Sequence, residues 1–125
     1  MQSTTISTVL QLVIGLGLIN VWLLRAGSST AYRGGEATSL QAEFAAYGLP
    51  VWFFYLIGFL KLGSAALLIA GYWIPQLVLP AAALVVALMV GALSMHARVK
   101  DPLIKWMPAS IMLAMSSALV FLRLG

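Results

Sequence analysis

The sequence predicts an all-α fold, an integral membrane four-helix bundle with a short amphipathic helix in its first connection, and three observations carry that reading. Hydrophobic residues make up 62% and charged residues 8% of the 125 residues, against roughly 45 to 50% apolar and about 25% charged in a soluble domain. Apolar segments recur at about 6–24, 51–73, 77–95 and 102–123, each close to the roughly 17 to 25 residues that cross a ~30 Å hydrocarbon core. The connections leave no room for a second domain, so residues 1–125 read as a single transmembrane domain.

The first segment has no Lys or Arg before it, so it lacks the positive flank of a signal peptide and is expected to be a retained helix. Its Gly15 and Gly17 stand in no phosphate-cradling pattern. The connection from Arg25 to Pro50 changes character midway: Ala26 to Gly35 is rich in Gly and Ser, whereas Thr38 and Gln41 make a capping-box pattern. Leu40, Phe44 and Tyr47 then recur on one helical face until Gly48, Leu49 and Pro50 stop the helix, which predicts a short amphipathic helix over about 39–47 that lies at the interface or folds under the bundle. The simpler expectation is that this helix anchors the linker to lipid; the alternative is a lid over a cavity, with Glu36 or Glu43 placed to meet a cation.

The second and third helices are joined only through Ile74, Pro75 and Gln76, so they must pack as an antiparallel hairpin. In the third helix Ala83, Ala87, Gly91 and Ser94, and in the fourth Ser110, Ala114 and Ala118, form stripes of small residues expected to be packing seams. Asp101 before Pro102 reads as an N-cap with proline at the first helical position. Pro108 removes a backbone bond inside the fourth helix and should bend it.

Charge supplies a topology. Arg25 and Arg33 lie in the first connection and Arg98, Lys100 and Lys105 in or near the third, while the second has no basic residue. By the positive-inside rule the first and third connections face the cytoplasm of a bacterial-type inner (plasma) membrane, and both termini face outward. Trp22, Trp52 and Trp106 mark one interface and Tyr72 and Trp73 the other. The +4 net charge is then a signal of topology and of contact with the lipid bilayer. No basic stripe lies on a soluble surface, so nucleic acid is not an expected partner.

Few residues can carry chemistry. Lys61 is a full charge near the middle of an apolar segment, and an ionisable residue at that depth points to a functional site. Gly58, Ser64 and Ala65, three and four residues away, turn its face toward the bundle. Lys61 is then either a structural device satisfied by carbonyls or a ligand or proton site. Lys61→Met, which removes a costly charge, is expected to fold at least as well. Asn20, one turn from Gly17, is preferred over Gln11 as its polar neighbour, and Ser110 is a further neighbour. His96 closes the third helix, where the C-terminal dipole favours its charged form; it is a cap or a ligand contact. The candidate ligand-binding residues are therefore Lys61, Asn20, Ser110 and His96. With one His and no Cys, and no carboxylates paired at helical spacing, no metal site is predicted, and no catalytic constellation appears.

The stretch Tyr47-Gly48-Leu49-Pro50-Val51-Trp52, then Ile57-Gly58 leading to Lys61-Leu62-Gly63, then Leu88-Met89-Val90-Gly91-Ala92 and His96-Ala97-Arg98-Val99-Lys100-Asp101-Pro102, resembles the DoxX-like family of four-helix membrane proteins. The resemblance implies a membrane redox setting. Members include a subunit of thiosulfate:quinone oxidoreductases and products of genes that respond to quinones or oxidants, and a eukaryotic branch assists receptor assembly. Lys61 stands where many relatives carry an acidic residue, and the family offers no settled catalytic residue to carry over.

Two functions follow as expectations. One is a noncatalytic pocket for a quinone or another lipophilic molecule, with Lys61 bonding a carbonyl oxygen and Asn20 and Ser110 beside it. The other is an accessory or assembly subunit of a larger membrane complex, or a homo-oligomer, that uses its packing seams. A small proton-coupled transporter fits less well, because the first helix has no embedded carboxylate.

Overall fold

The computed structural model describes residues 2–21 and 40–124. They form α1 (Gln2–Ile19), α2 (Leu40–Ala46), α3 (Val51–Ala70), α4 (Val78–Arg98) and α5 (Leu103–Leu124), with a 3-10 turn over Pro75–Leu77 and, among the described residues, no strand. The segments Val51–Ala70, Pro75–Arg98 and Leu103–Leu124 are long and apolar enough to cross a membrane, and Thr5–Ile19 is a shorter apolar helix. Residues 22–24, expected to complete the first span, and the linker as far as Ser39 lie outside the described residues, as does Glu36.

The long helices pack in the cyclic order α1, α3, α4, α5, each against its two neighbours, with only weak contact across the diagonals. Two constraints produce this arrangement. The tight turn after α3 forces α4 back alongside it, and the short link at Val99–Pro102 does the same for α5. α1 then closes the ring. A β-carbon on Gly15 would lie 3.3 Å from the carbonyl oxygen of Ala65, so the glycine lets α1 approach α3 closely and a side chain there would have to push its neighbour back by a few tenths of an ångström. Ile14, Leu18, Leu68, Ala82, Val85 and Leu119 fill the centre. Ser64 and Ser116, both buried, donate to the carbonyls of Leu60 and Met112 one turn back, which satisfies them without a partner helix.

The small-residue stripes do not form the interior seams expected of them. Ala83, Ala87, Gly91 and Ser94 are exposed, as are Ser110, Ala114 and Ala118. The inward face of α4 is instead Val78, Ala81, Ala82, Val85, Met89 and His96, and that of α5 is Ala109, Ser116 and Leu119. Both sides of a membrane helix are apolar, so the sequence offers little contrast between lipid-facing and inward residues, and a stripe of small residues marks a flat face without saying what covers it.

α2 also departs from the simpler expectation. Its aromatic face is not laid on lipid: Phe44 and Tyr47 are buried, and Phe44 packs with Val21, Leu49, Phe53, Phe54, Ile57 and Leu62. The helix ends in a Schellman cap, in which Gly48 N–H donates to Ala45 O at 3.0 Å and Leu49 N–H donates to Phe44 O at 3.1 Å. Gly48 takes the left-handed conformation this cap needs, at φ 79°. Leu49 folds back onto Phe44, and the chain enters α3 directly.

Candidate functional site

α2, α3 and α4 enclose a cavity of ≈ 240 Å3. α2 and the residues after it supply Phe44, Tyr47 and Leu49, and α3 supplies Phe53, Ile57 and Lys61, which share one face because they recur every four residues. α4 supplies Ala87, Leu88, Gly91, Ala92 and Met95. Ala87 and Met95 are eight residue steps apart, so the cavity extends roughly 12 Å along α4. Its walls are apolar and aromatic, and Lys61 is the one charged residue among the described residues that line it. The volume is below the roughly 300–1,000 Å3 of pockets that hold drug-sized molecules. It suits a single ring or a short chain.

Lys61 is half-buried, and its helical neighbours Gly58, Ser64 and Ala65 are buried, so its face does turn into the bundle. The other candidates are dispersed. Asn20 is exposed and absent from the cavity wall. It sits where α1 loosens into a π-turn over Asn20 and Val21, and the small residue that made it a candidate reports a different contact: a β-carbon on Gly17 would lie 3.2 Å from the terminal methyl of Met112 on α5. Ser110 is likewise exposed and outside the wall, because the buried position of that turn is Ala109. The structure therefore does not bring Asn20 and Ser110 to the cavity that Lys61 lines.

His96 is buried beside the cavity rather than in its wall. Tyr47, which does line the cavity, meets the His96 ring edge-on at 6.0 Å between centroids, and Trp106 stacks with the same ring at 6.3 Å. His96 Nδ1 lies 2.7 Å from Asp101 Oδ2, with both side chains almost fully enclosed, and Lys105 Nζ lies 4.0 Å from Asp101 Oδ1. The indole N–H of Trp106 donates to the Asp101 carbonyl at 2.9 Å. The expected N-cap residue thus directs its carboxylate at His96 and Lys105, and α5 begins two residues later, at Leu103.

A second Schellman cap builds this cluster. Asp101 N–H donates to His96 O at 3.0 Å and Lys100 N–H donates to Ala97 O at 3.1 Å, a pattern that brings the residues at the two ends of the motif together. Here the left-handed residue is Lys100, at φ 57°. A glycine there would have announced the cap in the sequence; a lysine conceals it. Sequence reasoning consequently missed the pairing of His96 with Asp101 and the roles of Tyr47 and Trp106.

Gln11, passed over in favour of Asn20, is buried at the opposite end of the bundle. Its amide N–H donates to Leu68 O at 2.9 Å, and its amide oxygen accepts from Arg123 Nη2 at 3.1 Å. Among the described residues no group of three or more His, Cys, Asp or Glu side chains could hold a metal ion.

The sequence profile of the DoxX-like family matches residues 14–119, most of the chain, including all of α2, α3 and α4. No curated protein and no solved structure matches.

Proposed function

The chain belongs to the DoxX-like family, and from that premise we propose that it is a noncatalytic membrane protein that binds a small lipophilic molecule between α2, α3 and α4. A quinone head group, or a comparable single ring bearing a carbonyl, is the ligand class that fits. One observation carries this reading: an apolar and aromatic cavity in which Lys61 is the single charged residue among the described wall residues. Pockets that fix lipophilic ligands combine apolar walls with a few convergent polar groups, and an ammonium in low-dielectric surroundings is a strong donor to a carbonyl oxygen. Phe44, Tyr47 and Phe53 offer ring faces and edges to an aromatic ligand. Ala87 and Gly91, small and exposed, lie at the cavity's edge. A molecule arriving from the bilayer has no large side chain to displace there.

The setting that goes with this reading is a bacterial-type inner membrane, with the α4 to α5 link on the cytoplasmic side and the termini outside, as the basic residues Arg98, Lys100 and Lys105 favour. His96 then supports the wall through Tyr47 and is not itself a ligand contact.

Native mass spectrometry of the gently solubilised protein tests the reading. A stoichiometric lipophile that is retained by the original chain and lost from a folded Lys61→Met variant is the expected result. A folded protein that carries no such compound, even when supplied with a short-chain benzoquinone, contradicts it. A specific observation favours a second reading, an accessory subunit or homo-oligomer: the small residues Ala83, Ala87 and Gly91 of α4 and Ser110, Ala114 and Ala118 of α5 face outward, where another transmembrane helix could approach closely. The same spectra would then show a partner chain at fixed ratio, unaffected by Lys61→Met.

A further inference from the structure

At the end of the bundle where α1 begins and α3 and α5 finish, the polar groups do not close on themselves. Gln11 is 1% exposed, and both ends of its amide are committed, the nitrogen to Leu68 O and the oxygen to Arg123 Nη2. Because the Leu68 carbonyl can only accept, the amide cannot turn over, and its oxygen holds the guanidinium of Arg123 in place. Two atoms of this region are buried without any partner, Arg123 Nε and Ser7 Oγ. Ser7 is 3% exposed and lies one turn from Gln11 on the same face of α1.

Among the described residues, no carboxylate answers the charge at this end either. The acidic residues of the described helices and links are Glu43 and Asp101. Asp101 is engaged with His96 at the far end, and Glu43 belongs to α2, which packs at that same far end against the start of α3. The dipole of α5 favours a cation in its last turn, but a field leaves a buried N–H without an acceptor. Leu68, bonded to Gln11, belongs to the last turn of α3, which ends at Ala70. The cluster is therefore level with the helix ends, where a bilayer places its headgroups.

We propose that Arg123, held by Gln11, and Ser7 form a binding site for a phosphate oxyanion, supplied by a lipid headgroup or by free phosphate. Guanidinium geometry matches phosphate oxygens, which can accept from Nε and from an Nη together. The serine hydroxyl adds a neutral donor. A bridging water could satisfy Ser7 and Nε but would leave the charge unbalanced.

The test is thermal unfolding of the full chain in an uncharged detergent, titrated separately with short-chain phosphatidylglycerol, inorganic phosphate and short-chain diacylglycerol. Phosphatidylglycerol is expected to raise Tm by several degrees in a saturable manner, with diacylglycerol inactive. Without additive, Ser7→Ala should melt at the same temperature or higher, since it removes a buried orphan hydroxyl, yet gain less from the lipid. Arg123→Gln should gain nothing, and if it fails to fold, Arg123→Lys, which keeps the charge and loses the fork, should show a reduced gain. A shift produced by inorganic phosphate alone assigns the site to the free ion. No phosphate-dependent shift, a shift matched by diacylglycerol, or an undiminished shift in the Arg123 and Ser7 variants would overturn the proposal.

Discussion

At the link between α4 and α5, His96, Asp101, Lys105 and Trp106 answer one another: carboxylate to imidazole at 2.7 Å, indole to carbonyl at 2.9 Å, and an ammonium at 4.0 Å. At the opposite end both the nitrogen and the oxygen of the Gln11 amide are bonded, but Arg123 Nε and Ser7 Oγ are buried with no hydrogen-bond partner. Both clusters lie at helix termini, but the first joins the consecutive helices α4 and α5, whereas the second joins α1, α3 and α5, distant in sequence. The difference is that the first is closed and carries structure, whereas the second is open and leaves binding capacity unused. The cavity sits against the closed cluster, with Tyr47 shared between them, so its wall is fixed from behind. Buried polar networks rigidify when every member is satisfied.

The largest effect expected at the closed end is on α2. Phe44→Ala removes the ring that Phe53, Phe54 and Leu49 enclose, and truncating a buried Phe costs about 3 to 5 kcal/mol. A seven-residue helix has no stability of its own, so the loss should appear as faster amide exchange over residues 40–49 with the long helices still protected. Unchanged exchange there would mean that α2 is held by something other than its aromatic face.

Next comes Asp101→Ala, which strands an enclosed imidazole and should cost about 3 kcal/mol in detergent unfolding. Asp101→Asn, which keeps an acceptor, should lose less. If both are silent, the cluster is not what fixes the wall. Gln11→Leu comes third, at about 2 kcal/mol, because it deprives Arg123 of its acceptor and Leu68 O of a donor while keeping the volume. A smaller loss than that from Asp101→Ala is the outcome that separates an open cluster from a closed one.

The smallest pair compares the two Schellman caps. Lys100→Gly should stabilise by about 1 kcal/mol, because it relieves a left-handed conformation that costs a side-chain-bearing residue roughly 1–2 kcal/mol, while Gly48→Ala should destabilise by a similar amount. Equal and opposite shifts in unfolding midpoint would confirm that both caps depend on the same backbone state.

The fold was legible where physics offers a strong contrast, in segment length, the tight turn after α3, and the aromatic face and glycine stop of α2. It was illegible where contrast is weak. Lipid and bundle interior are both apolar, so Ala83, Ala87 and Gly91 looked like an inward seam and are exposed. Gly17 indicated an inward face near Asn20, but the glycine opens α1 toward Met112 of α5. For the site, depth and small neighbours sufficed to direct Lys61 inward. The pairing of His96 with Asp101 depended on a left-handed lysine, a backbone choice that residue type does not advertise. Gln11 meets Arg123 only once α1 has closed the ring, a contact across almost the whole chain that local spacing does not encode.

Amide hydrogen exchange on the full chain in detergent, with and without a saturating short-chain benzoquinone, reads out directly whether the cavity between α2, α3 and α4 holds the ligand. Ligand should add protection on α2, on α3 around Phe53 to Lys61 and on α4 from Ala87 to Met95, with none near Ser7, Gln11 or Arg123, and Lys61→Met should lose that protection. Protection that falls elsewhere, or persists unchanged without Lys61, would contradict a ligand held in that cavity by Lys61.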